Sequence, residues 1–79
     1  MPRFYLQLCH GKGFTADEEG CELPDLAAAR KRAIEGLRDV MAGELRKGEI
    51  DLAAYIDIED EKRAVVMRVP FAEAVRIIG

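Results

Sequence analysis

The 79-residue chain has few of the residues that usually carry nucleophilic catalysis or zinc binding: one histidine and two cysteines. A structural zinc site takes four nitrogen or sulfur ligands at short spacings, a pattern that is absent here. Cys9 and His10 are neighbours on a predicted strand, where successive side chains point to opposite faces, so they do not converge on one ion or form a nucleophilic pair. We therefore expect no metal, no cofactor and no catalytic residue.

Long hydrophobic runs are also missing, since the longest are a few residues and a membrane span takes about 20. The first five residues show neither the apolar stretch nor the cleavage site of a signal peptide. These absences predict a cytoplasmic protein without a membrane partner. Cys9 and Cys21 are then expected to be reduced, although their placement on or near adjacent strands makes a bridge geometrically conceivable.

Positive charge is not in excess: 12 lysines and arginines stand against 15 acids, for a net charge of −3. Phosphate neutralisation supplies most of the affinity of nucleic-acid binders, so such a partner is not expected. The residues 30–32, Arg-Lys-Arg, are spread around a helix at about 100° per residue and do not form one basic stripe.

The length and a hydrophobic fraction of 49% predict one globular domain over residues 1–79. A single core of this size typically supplies only about 3–5 kcal/mol of stability. Self-association, as a homodimer, is therefore an expectation.

Alternation of apolar and polar residues predicts a strand over residues 3–10, with Phe4, Leu6 and Leu8 on one face. The residues 11–13, Gly-Lys-Gly, predict a hairpin turn rather than a phosphate loop, because a strand and not a helix follows. The return strand covers residues 14–16, and residues 21–23 form a short extended piece.

A long helix is predicted from Leu26, with Asp25 as its N-cap and Gly48 just beyond its end. Two glycines inside it, Gly36 and Gly43, indicate either a close helix–sheet contact or a locally soft helix. Apolar residues at spacings of three and four form one stripe: Leu26, Ala29, Ala33, Leu37, Val40, Met41 and Leu45.

Alternation returns in a second hairpin, around a polar turn at residues 60–63. Residues 71–78 are predicted to add one or two helical turns. The predicted inward residues of this part are Ala54, Ile56, Ile58, Val65, Met67, Val69, Phe71, Val75 and Ile78.

The predicted fold is therefore α+β and two-layered: a four-stranded, mainly antiparallel sheet in the order β-β-α-β-β, with one long helix across one face. The other face is mixed and is either solvated or docks a partner. Its residues are Tyr5, Gln7, Cys9, Tyr55, Asp57, Val66 and Arg68.

Carboxylates are grouped around two predicted turns, at residues 17–22 and 57–61. Neither group matches the calcium-loop pattern of oxygen ligands at every second position, so solvated turns are the favoured interpretation.

The segment of residues 17–25 reads Asp-Glu-Glu-Gly-Cys-Glu-Leu-Pro-Asp. Together with the start Met-Pro-Arg-Phe-Tyr and the closing Val69-Pro70-Phe71, it resembles a family of short alphaproteobacterial proteins described only as a domain of unknown function. Members commonly show Asp-Gly in the first turn, where this chain has His-Gly-Lys-Gly. The resemblance implies a fold and a kind of organism, and no activity.

Six residues of this segment are the candidate site, as a partner-binding motif or a structural one: Asp17, Glu18, Gly20, Glu22, Pro24 and Asp25. The structural interpretation is favoured, because Gly20 suits the turn while Pro24 and Asp25 suit a helix start.

The leading functional hypothesis is a non-catalytic interaction or regulatory module. The alternative is an antitoxin that neutralises a small basic ribonuclease, because the strands and the Pro-Asp before the helix resemble HicB-like antitoxin domains. Ala27-Ala28-Ala29 replaces the usual Pro-Gly-Cys-type continuation, and there is no DNA-binding extension. An enzyme, the third hypothesis, requires Cys9, His10 and a carboxylate within hydrogen-bond reach.

Overall fold

The computed structural model describes residues 1–11 and 13–78; Lys12 of the predicted turn and the last residue of the predicted domain lie outside them. The elements are β1 (Arg3–His10), β2 (Gly13–Thr15), β3 (Cys21–Glu22), α1 (Leu26–Arg46), β4 (Tyr55–Glu59), β5 (Val65–Pro70) and α2 (Phe71–Ala74). The α+β class, the antiparallel sheet and the single long helix are confirmed.

The sheet has five strands, not the predicted four. Its order is β2-β1-β4-β5, all antiparallel, and β3 pairs with the start of β1. The strands β2 and β3 thus share one edge of β1, with a gap between them. The extended piece at residues 21–23 counts as a strand because two of its residues pair with Arg3 and Phe4.

The helix α1 and the sheet bury their apolar residues in one core. Leu37, Ile58 and Val69 are its largest fully buried side chains. Four stripe residues of α1 are buried as predicted: Ala29, Ala33, Leu37 and Met41.

Leu45, at the end of the stripe, was predicted to face the core and is 62% exposed. The reason is that α1 is longer than the strand in the middle of the sheet. The 21 residues of α1 span about 31 Å at 1.5 Å per residue. The five residues of β4, in the middle of the sheet, span about 17 Å, so the last turn of the helix extends beyond its cover.

Both ends of α1 carry the predicted caps. Asp25 accepts a hydrogen bond from the Ala28 N–H at 2.8 Å. At the other end Gly48 has φ +84° and its N–H donates to Leu45, while the Glu49 N–H donates to Glu44, which is the Schellman arrangement.

The two glycines inside α1 do not serve a close helix–sheet contact, so that interpretation is wrong. A Cβ on Gly36 would lie 3.6 Å from Ile56 Cδ1, an ordinary contact, and a Cβ on Gly43 would meet nothing within 4 Å.

The second hairpin contains an irregularity that the alternation did not predict. Ile58 pairs with Met67, but Glu59 pairs with Val65, so one residue of β5 is extra. Such a bulge moves the residues beyond it to the opposite face. Val65, predicted to face inward, is therefore 56% exposed.

The chain after β5 forms a single short helix, α2. Phe71 and Ala74 are buried in it, whereas Ile78, predicted to lie on the same side, is 83% exposed. The Phe71 N–H donates to the Ala54 carbonyl at 2.8 Å, which fixes the start of α2 against the residue before β4.

The two cysteines are free and cannot pair in this fold. Cys21 lies opposite Phe4, whereas Cys9 is five residues further along β1, roughly 17 Å at the rise of a strand. A disulfide requires Cα atoms within about 7 Å. The disulfide that the sequence left conceivable therefore does not form in this fold.

Candidate interaction surface

Asp17, the first candidate residue, closes the gap between β2 and β3 along the edge of β1. Its carboxylate accepts hydrogen bonds from the Leu6 N–H at 3.0 Å and the Gly20 N–H at 2.9 Å. Its own N–H donates to Gln7 Oε1 at 2.8 Å. A strand edge without a neighbour leaves such N–H groups unpaired, and Asp17 supplies the missing acceptor.

Gly20 is required by the path of the chain. Its φ is +70°, and an added Cβ would lie 2.8 Å from the Phe4 carbonyl oxygen and 2.9 Å from the Tyr5 ring. No L-side chain fits there without a shift.

The two parts of the chain that carry the family resemblance meet at Arg3. Its guanidinium donates to the Glu19 carbonyl oxygen at 2.6 Å and to the Glu22 carboxylate at 3.1 Å. The Leu23 N–H also donates to the Pro2 carbonyl oxygen. These hydrogen bonds thus hold the opening residues and the segment of residues 17–25 together.

The structure therefore assigns a local task to four of the six candidates: Asp17, Gly20, Glu22 and Asp25. Pro24 precedes the N-cap, and Glu18 is exposed. None of the six lines either of the two clefts described below.

The outer face of the sheet, opposite α1, is covered by two arginines that stack on tyrosines. Arg63 lies 3.9 Å from the centre of the Tyr5 ring and Arg68 4.0 Å from that of Tyr55. Each guanidinium also pairs with a carboxylate of β4, since Arg63 reaches Glu59 at 2.7 Å and Arg68 contacts both oxygens of Asp57. These carboxylates raise the pKa of both arginines.

Gln7, in the middle of this face, is only 3% exposed. Besides accepting from Asp17, its amide donates to Glu59 at 3.3 Å. On the same face, a hydrogen bond with Cys9 raises the pKa of Tyr55. The positive charge of Arg68 acts in the opposite direction and lowers it. The face that the sequence predicted as solvated or partner-binding thus pairs many of its polar groups internally.

A group of exposed apolar side chains lies near the C-terminal end of α1. We call Leu45, Ile50, Leu52 and Ile77 the apolar patch; each is at least 47% exposed. They line a cleft of about 320 Å³, together with Met41, Ala42, Phe71, Val75, Arg38 and Arg76.

Among the described residues, two arginines and no carboxylate line this cleft. Arg38 Nε donates to the Ala74 carbonyl oxygen at 2.6 Å, which ties α2 to α1. Arg76 is exposed. We call these two arginines the arginine edge.

A second cleft, of about 430 Å³, adjoins the first and shares Met41 and Ile50 with it. Three carboxylates line it, Glu44, Glu49 and Asp51, with His10 among them. We call these three the acidic edge.

Asp51 holds this part of the chain in place. It accepts hydrogen bonds from the N–H groups of Gly11 and Ala53, and these bonds lower its pKa, with a smaller contribution from His10. A carboxylate near His10 is something the sequence interpretation missed. Cys9, by contrast, lies opposite Tyr55 on the outer face, so the Cys–His–carboxylate arrangement does not form.

The apolar patch was also missed, because its residues come from α1, from the segment before β4 and from the end of the chain. One signal was available. Ile50 and Leu52 are large apolar residues in a segment without helical or strand periodicity, and such residues have no predicted core to enter.

Within the described ranges, 1–11 and 13–78, no three His, Cys, Asp or Glu side chains are grouped as metal ligands. Over the same ranges no helix combines the length and the apolar character that crossing a bilayer requires.

Fold and surface define a small α+β protein in which an apolar cleft lined by two arginines adjoins a cleft lined by three carboxylates. A family model described as Domain of unknown function (DUF6894) matches residues 3–72, so the chain belongs to that family. Comparison with curated proteins and with solved structures gave no match. The predicted membership of a family without assigned function is confirmed, whereas the bacterial origin and the HicB likeness stay predictions.

Proposed function

We propose that this protein is a non-catalytic interaction or regulatory module of the cytoplasm, and that it binds other proteins through the apolar patch. The observation that carries the proposal is the grouping of Leu45, Ile50, Leu52 and Ile77 around one cleft. Single exposed apolar side chains are ordinary, but contiguous ones mark interaction sites.

Burial of these side chains would supply the driving force for binding, at about 25 cal/mol per Å² of apolar surface removed from water. The cleft itself is at the lower limit of small-ligand pockets, which run from about 300 to 1,000 Å³. Its walls are side chains that are themselves largely exposed. A protein surface covers such walls better than a small molecule does.

The absence of catalysis is part of the proposal, and two features support it. Cys9 and His10 lie on opposite faces of β1, as a strand requires. Asp51, the carboxylate near His10, already accepts two backbone hydrogen bonds.

The proposal is tested by affinity purification of the tagged protein from its native cell, with the wild type compared with Leu52→Glu. Val66→Glu is the matched control, because Val66 is an exposed apolar residue on β5, away from the patch. We expect a partner that the wild type and the control retain and that Leu52→Glu loses. Co-purifying proteins that are unchanged by Leu52→Glu contradict the proposal.

The antitoxin hypothesis makes a narrower claim about the partner. Glu18, before β3, and Glu22, in β3 and paired with Arg3, are exposed acidic side chains that would face a basic ribonuclease. It predicts that a small basic ribonuclease is retained by Leu52→Glu and lost when both glutamates are replaced by lysine. Retention of the ribonuclease by both variants, or its absence from all samples, excludes this alternative.

A further inference from the structure

We propose that the apolar patch is the two-fold interface of a homodimer, in which the arginine edge of one copy meets the acidic edge of the other. This inference rests on the proposed function and names the partner of that surface as a second copy of the chain.

The arrangement of charge along the surface supports a second copy. Arg38 and Arg76 line the cleft on one side of Met41 and Ile50, and Glu44, Glu49 and Asp51 line the cleft on the other. Two-fold interfaces are self-complementary, because each residue of one copy meets the symmetry-related part of the other. A two-fold axis near Met41 and Ile50, the residues that both clefts share, brings these side chains of the two copies together and places the arginine-lined cleft of each copy against the carboxylate-lined cleft of the other.

Other occupants match this pattern less well. A strongly basic partner would oppose the arginine edge, and a strongly acidic one would oppose the three carboxylates. Like charges placed face to face cost several kcal/mol at an interface. A partner that carries both signs in the reverse order satisfies both edges, and a second copy in the two-fold orientation does so by construction.

One carboxylate of the acidic edge, that of Asp51, is held in place by the fold. Hydrogen bonds from Gly11 and Ala53 hold the Asp51 carboxylate beside Ile50. On the other edge Arg38 is anchored by its hydrogen bond to the Ala74 carbonyl. Groups that are fixed before binding lose little side-chain freedom on association.

Sedimentation velocity of the full chain, from micromolar to hundreds of micromolar, tests the dimer. We expect a concentration-dependent dimer for the wild type. Leu45→Glu and Leu52→Glu should each raise its dissociation constant about 30-fold or more, the effect of replacing a buried apolar contact by a charge. Both residues are exposed in the single chain, so folding is expected to persist, and circular dichroism verifies it.

Phe14→Glu and Val66→Glu are the controls, since both residues are exposed apolar side chains on β2 and β5. They should leave the dimer unchanged. A wild type that stays monomeric throughout the range overturns the inference, as does a dimer that Val66→Glu dissociates and Leu45→Glu does not.

A mixing experiment tests the two-fold charge arrangement. Arg76→Glu alone and Glu49→Arg alone should each weaken self-association several-fold. An equimolar mixture should restore it, because each edge of the mixed dimer again pairs opposite charges. No recovery on mixing overturns the proposed orientation.

The outcomes separate the dimer from the function on which it rests. A monomeric protein whose heterologous partner is lost on Leu52→Glu leaves the interaction module standing and removes the dimer. Conversely, a dimer whose other protein partners are all retained by Leu52→Glu leaves the dimer standing and removes the proposed interaction module.

Discussion

The segment of residues 17–25 and the apolar patch differ in whether their side chains have partners within the fold. In the segment, Asp17, Gly20 and Asp25 each meet a backbone requirement of the fold. In the patch, large apolar side chains remain in water, although exposed positions of this kind usually tolerate polar residues. The comparison teaches that a distinctive sequence motif can meet backbone requirements, while an exposed apolar surface can be assembled from residues that form no motif.

Substitutions in the two regions should therefore differ in what they change. In the segment they should lower the free energy of unfolding and leave association unchanged among the folded molecules. In the patch, substitutions should weaken association and leave the free energy of unfolding nearly unchanged.

Gly20→Ala should give the largest loss of stability. The positive φ costs about 1–2 kcal/mol for a residue with a Cβ, and the contact with the Phe4 carbonyl oxygen adds to it. Urea denaturation measures the loss. Gly43→Ala is the control, and there a gain of up to about 1 kcal/mol is expected, because the site is helical and open. Equal effects of the two substitutions would contradict the structural role of Gly20.

Asp17→Ala should cost about 1–3 kcal/mol, because the Leu6 and Gly20 N–H groups lose their acceptor in a half-buried place. The neighbouring substitution Glu18→Ala, at an exposed residue, should be nearly neutral. Chemical denaturation of both variants, followed by circular dichroism, makes the comparison. A nearly neutral Asp17→Ala would mean that the edge of β1 does not depend on this carboxylate.

Asp25→Ala should cost about 1 kcal/mol, the usual value of a helix N-cap. Asp39→Ala, an exposed change in the middle of α1, should be neutral or slightly stabilising, since alanine is the better helix former. The midpoints of thermal unfolding report both. A loss of the same size at both sites would point to charge rather than capping.

Asp51→Ala should lower stability at neutral pH and make little difference in acid. The hydrogen bonds from Gly11 and Ala53 lower the folded-state pKa of Asp51 below its ordinary value of 3.8. Their stabilisation is therefore complete above the unfolded-state pKa and is lost as the pH falls through the folded-state pKa. Urea denaturation over an acid-to-neutral series checks this, and a difference that persists unchanged in acid would rule out the ionised carboxylate as its cause.

Leu52→Gln should have the smallest effect on stability, within about 0.5 kcal/mol, as is usual for exposed positions. The same variant should bind its partner more weakly. Urea denaturation and sedimentation of the same sample separate the two effects. A large loss of stability would show that Leu52 belongs to the core rather than to an interface.

Local features of the fold followed from the sequence. The helix was predictable from the three- and four-residue spacing of its apolar stripe, with Asp25 before it and Gly48 after it. Both signals act within a few residues, and tertiary contacts reinforce them. The alternation of β1 and β4 was predictable for the same reason.

Features that depend on the relative extent of distant elements were not predictable. Leu45 continues the stripe perfectly, yet it is exposed because β4 is shorter than α1. The bulge in β5 depends on how Val65 pairs across the hairpin. The gap that Asp17 fills exists only because β2 and β3 both pair with β1.

The sequence identified residues 17–25 as a candidate site but did not decide its role. The sequence posed a structural and a partner-binding interpretation of residues 17–25, and the contacts of Asp17 and Gly20 support the structural one. The apolar patch combines three stretches of chain that no spacing rule connects, so it required the fold.

Amide chemical shifts on dilution, from high micromolar to low micromolar concentration, test the central claim most directly. We predict that shifts concentrate in residues 41–52 and 71–77 and that residues 17–25 do not move. Changes confined to residues 17–25 or to β5, or spectra that do not depend on concentration, would contradict the apolar patch as the site of self-association.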